Sequence, residues 1–238
     1  MQRLDQGLEP LSDKVMGLLS SITSEPITRA RGRPRSVPGG GVHRKPCEQI
    51  GYQEATDLVR AVHYAASIGQ EPNRLVTVQW RHAPSSRPIP ERLTRFINLL
   101  GQWLRRRTGK PAVWVYAREV GKLKGEHLHL AAHVPPKLWS ALDRQMRHWL
   151  ELETSEDVRH TAIRSDAISP GDMRTGVRSY FLKDSVPKAR QMWVQDKHKA
   201  TGGVVQGKRT RVSHSIGRTA RASASASGGP AWFGSDEG

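Results

Sequence analysis

The stretch that most restricts how this chain can fold covers residues 112–134, AVWVYAREVGKLKGEHLHLAAHV. Two runs of β-branched, aromatic and aliphatic residues flank Gly121-Lys122-Leu123-Lys124-Gly125, which predicts two antiparallel strands joined by a tight, glycine-bounded loop. A hairpin centred on Leu123 sets Glu119 opposite His127 and Ala117 opposite His129. Strand side chains alternate faces with a period of two, so these odd-numbered residues share one face, and Glu119 also reaches His129 diagonally. A carboxylate and two imidazoles then converge on one patch. That is a three-ligand set for a divalent cation, with positions left for water or a phosphate oxygen.

The segments around the hairpin predict what it packs against. Residues 75–80, LVTVQW, read as a strand bounded by Pro72-Asn73 and by Pro84-Ser85-Ser86. Leu93, Phe96, Ile97, Leu100, Trp103 and Leu104 recur at helical spacing, which predicts a helix from residue 90 to about residue 106. A second helix is expected from Pro136, with Leu138, Leu142, Met146, Trp149 and Leu150 turned inward, and a further strand over residues 160–168. The predicted class is therefore α+β. Its β-α-β-β-α-β order is that of a ferredoxin-like split: a central antiparallel sheet with both helices on one face and the other face open. Trp114, Tyr116, Leu128, Leu130 and Val134 are expected to meet the helices, which leaves Glu119, His127 and His129 on the open face.

Four segments follow from this. Residues 1–47 are expected to be an appendage and basic linker, in which Arg31-Gly32-Arg33-Pro34-Arg35 is AT-hook-like. Residues 48–184 form the central domain. It begins with a helix over 48–68 that carries Ala55, Leu58, Val59, Val62 and Ala66 on one side. It ends in a helix opened by Ser169-Pro170-Gly171-Asp172, on which Tyr180 and Lys183 share a face. Residues 185–219 are a basic extension, and residues 220–238, rich in Ala, Ser and Gly, are expected to be disordered.

Charge narrows the partner. With 38 Lys and Arg against 22 Asp and Glu, the net charge of +16 points to a polyanion, and nucleic acid leads. No apolar run approaches the roughly 20 residues of a membrane span, and no signal-peptide pattern is present. The one cysteine, Cys47, fits a reducing compartment, so a cytoplasmic protein without membrane partners is expected.

His127-Leu128-His129 followed by Tyr180-Phe181-Leu182-Lys183 resembles the HUH endonucleases, in particular the single-tyrosine initiators of rolling-circle replication in bacterial plasmids and phages. The likeness covers roughly residues 74–184, including the order of elements, and LVTVQW stands where that family has its first motif strand. Residues 204–221 also resemble, more weakly, the basic C-terminal part of such initiators. The resemblance implies Mg²⁺ or Mn²⁺ on Glu119, His127 and His129. It implies attack by Tyr180 on a phosphate of single-stranded or hairpin origin DNA, with Lys183 positioning the phosphate or easing loss of the phenol proton. No phosphate-loop motif occurs, so a host helicase is the expected partner. Candidate DNA contacts are Trp80, Arg81 and His82 at the exit of the first strand, Arg105, Arg106 and Arg107, Arg178 on the tyrosine helix, and Lys208, Arg209 and Arg211. A single-tyrosine transposase shares the motif order, and a non-catalytic module binding hairpin nucleic acid is the alternative outside enzymes.

Overall fold

Alternating side-chain size divides this chain into a sheet and two coats of helix. The computed structural model describes residues 45–122, 124–154, 156–169, 171–194 and 202–228. β1 (Pro46–Cys47) leads into α1 (Tyr52–Ser67), followed by β2 (Arg74–Gln79), α2 (Ile89–Thr108), β3 (Trp114–Gly121), β4 (Gly125–Ala132), α3 (Trp139–Glu151) and β5 (Ile163–Ala167). α4 (Asp172–Gly176) runs on as a π-helical turn, Val177–Phe181. Then come α5 (Pro187–Trp193), β6 (Val205–Gln206), β7 (Thr210–Val212) and α6 (Arg218–Ala226). The expectations for residues 1–44, the AT-hook-like segment among them, lie outside the described residues, as do those for 229–238.

The fold is α+β around a five-stranded sheet in the order β5-β2-β4-β3-β7, with every neighbouring pair antiparallel. β1 and β6 pair separately. β3 and β4 turn through Gly125, whose φ of 66° lies where a side chain would be strained. α2 stops at Gly109, φ 70°, whose N–H donates to the Arg105 carbonyl.

One face of the sheet carries the large residues. Val76, Val78, Trp114, Tyr116, Leu128 and Leu130 meet Phe96, Leu100, Leu142, Met146 and Trp149 of α2 and α3 in one core, as the hairpin parity predicts.

The other face is not open, which corrects the expectation. Val115, Ala117 and Ala131 on that face are buried against Leu58, Val59 and Val62 of α1 and against Met173, Val177 and Phe181 of the tyrosine segment. Small side chains are the cause: Ala55, Ala61 and Ala65 are fully buried and let α1 approach the sheet closely. The hairpin end of this face, beyond α1, keeps a cleft lined by Glu119, His127 and His129.

Three segment expectations also change. The helix predicted over 48–68 starts at Tyr52, because Ile50 bridges to Ser185 and Gly51 stays extended at the cap. The strand predicted from residue 160 starts at Ile163 after a 3₁₀ turn. The described residues beyond 184 are part of the fold: β7 extends the sheet beside β3, and α6 covers residues 220–226 of the stretch expected to be disordered.

Candidate metal centre

The β3–β4 register sets Glu119 opposite His127 and Ala117 opposite His129. On the other side of β4, β2 brings Gln79 opposite His127 and Thr77 opposite His129. Glu119, His127 and His129 are all buried, at 2%, 6% and 2% exposure. Glu119 Oε2 lies 3.2 Å from His127 Nε2 and 3.4 Å from His129 Nε2, and one donor atom from each of the three residues lies within 4.8 Å of the others.

The far ring nitrogens are anchored. His127 Nδ1 is 3.1 Å from the Gly125 carbonyl, and His129 Nδ1 is 3.1 Å from Thr77 Oγ1. A carbonyl can only accept, so His127 donates to it through Nδ1, which leaves Nε2 as the ring atom on the Glu119 side. Such outer partners commonly orient metal-binding histidines.

The donor set fits a divalent cation. Glu119 Oε1 and His129 Nε2 are buried without a hydrogen-bond partner among the described residues, while Glu119 Oε2 is met by the Lys183 ammonium. Burying such lone pairs unsatisfied is costly, and a cation shared among them removes the cost. Burial alone would push the Glu119 carboxyl up. Contacts with His127, His129 and Lys183 outweigh it and hold the carboxyl well below the usual range, so it is ionised at neutral pH. Burial pushes His129 down, against the pull of Glu119, so its ring is neutral and able to ligate.

Tyr180 and Lys183 reach this cluster from the far side of the chain. The Tyr180 ring centroid is 4.5 Å from that of His129. Lys183 Nζ sits 4.7 Å from the Tyr180 centroid and 2.7 Å from Glu119 Oε2. Burial, seconded by Glu119, raises the Tyr180 phenol above its ordinary value, so it is protonated at neutral pH. All five residues line one cleft of about 430 Å³. The same cleft holds Gln79, Lys122, Lys124 and Arg164, which sequence reasoning did not assign.

The predicted DNA contacts fare differently. Trp80 is buried, edge-on to Phe96 at 6.2 Å and under the Arg92 guanidinium at 5.0 Å, so it is core and cannot stack on a base. Arg81 is exposed beside it, and His82 Nδ1 is 2.7 Å from Thr161 Oγ1. Arg209 is fully buried, 3.0 Å from Asp184 Oδ2 and donating to the Cys47, Arg118 and Gly203 carbonyls, so it is a structural cation and not a phosphate contact. Lys208 and Arg211 stay exposed on either side of it. Arg178 is half-buried over the Trp193 ring at 5.9 Å. Arg105, Arg106 and Arg107 are exposed at the end of α2, where Arg107 lines a cavity with Val113 and His133, at the end of the hairpin opposite the cluster.

No protein-family model matches the chain, and no curated protein or solved structure is matched by it.

Proposed function

We propose that this chain is a metal-dependent, single-tyrosine nicking and joining enzyme that initiates rolling-circle replication on single-stranded or hairpin origin DNA. The observation that carries the reading is the delivery of Tyr180 and Lys183 into the cleft that holds Glu119, His127 and His129. Tyr180 packs partly against the second core, and its ring also meets His129 in this cleft.

The strand order β5-β2-β4-β3, with α2 and α3 on one face, supports a ferredoxin-like split extended by β7. Glu119, His127 and His129 would hold Mg²⁺ or Mn²⁺, and the two imidazoles suit Mn²⁺ better than magnesium's preferred all-oxygen shell. Such an ion polarises a phosphate and offsets the charge that develops on its oxygens.

The chain's own residues do the rest. The Tyr180 hydroxyl oxygen attacks phosphorus, the bond to the 3′ oxygen breaks, and the 5′ phosphate remains on the tyrosine as a phosphodiester. The phenol proton leaves as the new bond forms and, in the net balance, ends on the departing 3′ oxygen. Lys183, between the ring and Glu119, supplies positive charge beside both the nucleophile and the phosphate. No water is consumed, so a 3′ hydroxyl can reverse the attack and rejoin the strand. The cytoplasm, with a host helicase for unwinding, is the setting this activity requires.

The test is a covalent adduct. Labelled single-stranded origin DNA incubated with the protein and Mn²⁺ should give a denaturation-resistant protein–DNA band, lost in Tyr180→Phe and on chelation. An adduct that persists in Tyr180→Phe, or none on any cognate origin strand, overturns the reading.

A further inference from the structure

The cleft carries more positive charge than its single acid balances. Lys183 is engaged with Glu119, yet Lys122 and Lys124 on the hairpin loop and Arg164 on β5 also line it. Both lysines are exposed. The Arg164 side chain is 77% exposed, and its 2.8 Å contact with Asp166 runs along its own strand. An exposed pair of that kind contributes little and yields to a stronger anion.

Register fixes where these cations stand. Arg164 is opposite Thr77, and Thr77 is opposite His129, so all three share one face of the sheet. Arg164 therefore lies two strands from His129, roughly 10 Å at ordinary strand spacing. Lys122 and Lys124 lie on the other side, at the hairpin tip beyond the Gly121–Gly125 pair. The Glu119, His127 and His129 cluster sits between the two groups, with Tyr180 lining the same cleft.

We propose that Lys122 and Lys124 on one bank and Arg164 on the other hold the phosphates flanking the one presented to Tyr180, so that a single DNA strand crosses the sheet face over the cluster. This rests on reading the cleft as a site for single-stranded DNA. The charge complements a phosphodiester backbone, and the spacing places a cation before and after the reacting position. Arg105, Arg106 and Arg107, at the opposite end of the hairpin, take no part in this track.

Salt dependence tests it without any cutting. A short fluorescein-labelled oligothymidylate is bound to the full chain in chelator, and its affinity is read by anisotropy across a potassium chloride series. Each phosphate contact to a single strand contributes about 0.7 to the slope of log affinity against log salt. Arg164→Gln should lower the slope by about 0.7 and the Lys122→Gln, Lys124→Gln pair by about 1.4, whereas Arg164→Lys and Arg106→Gln should keep the parental slope. Unchanged slopes in the cleft variants, an equal fall in Arg106→Gln, or no binding by the parent overturns the proposal. An adduct with unchanged slopes would leave the nicking reading standing and remove this one. Lowered slopes with no adduct would do the reverse.

Discussion

Glu119 meets three groups through a single oxygen: Oε2 faces His127 Nε2, His129 Nε2 and Lys183 Nζ. The imidazoles can serve a cation there only if their rings stay aimed, and Thr77 Oγ1 aims one of them. Thr77→Val keeps the shape and removes the partner of His129 Nδ1. Loss of an outer partner of this kind costs a metal site about 10- to 100-fold in affinity. Calorimetric titration with Mn²⁺ should therefore show such a weakening in Thr77→Val while the melting temperature of the chelated protein stays within a few degrees, and undiminished affinity would remove Thr77 from the site. Glu119, His127 and His129 were legible in the sequence because a hairpin's register is local. Thr77, Gln79 and Arg164 were not, because their place depends on β2 lying beside β4 and β5 beside β2, pairings between segments separated by whole helices.

At the scale of elements, the covered face is the main departure from the pattern read in the chain. Val115, Ala117 and Ala131 carried the signal, since three small apolar residues in the parity of the ligands need something packed on them. The periodicities of α2, α3 and the hairpin strands were strong enough to set the first core. The second core depends on α1, whose many alanines give a weak amphipathic contrast. α1 also meets the tyrosine segment through charge. Burial pushes His63 down, helped by Arg178 and Arg174 and opposed by Glu71. Its folded value thus lies below the unfolded value near 6.5, and the unfolded chain binds the extra proton. Stability from this group is full above that value and declines as pH falls through it. The urea midpoint should be lower at about pH 5.5 than at about pH 7.5, and His63→Gln should shrink that difference. A difference that is the same in both proteins would rule His63 out as its source.

For the molecule as a whole, the question is where the folding unit ends. Composition placed the end of the central domain at residue 184 and a basic extension after it, because Lys208, Arg209 and Arg211 look alike in sequence. Only their neighbours distinguish them. Arg209 is fully buried against Asp184 and three carbonyls, among them that of Arg118 on β3, while Arg118 itself donates to Glu126 and to the Gln206 and Lys208 carbonyls. This exchange, with β7 beside β3 and Arg221 paired with Asp57 of α1, ties the C-terminal segment to the sheet and to the first helix. Ending the chain after Val204 would remove Arg209 from the buried Asp184 carboxylate and from the Cys47 and Arg118 carbonyls, and breaking a buried pair of this kind is strongly destabilising. It would also expose the β3 edge and strip α1 of its C-terminal cover. Total stability for a domain is only about 5–15 kcal/mol, so several such losses at once leave little margin. The truncated chain should therefore lack a cooperative thermal transition by near-ultraviolet circular dichroism and bind a hydrophobic dye. A sharp melt within a few degrees of the parent would show that residues 45–204 fold without the strand, and that the extension read from composition is an accessory after all.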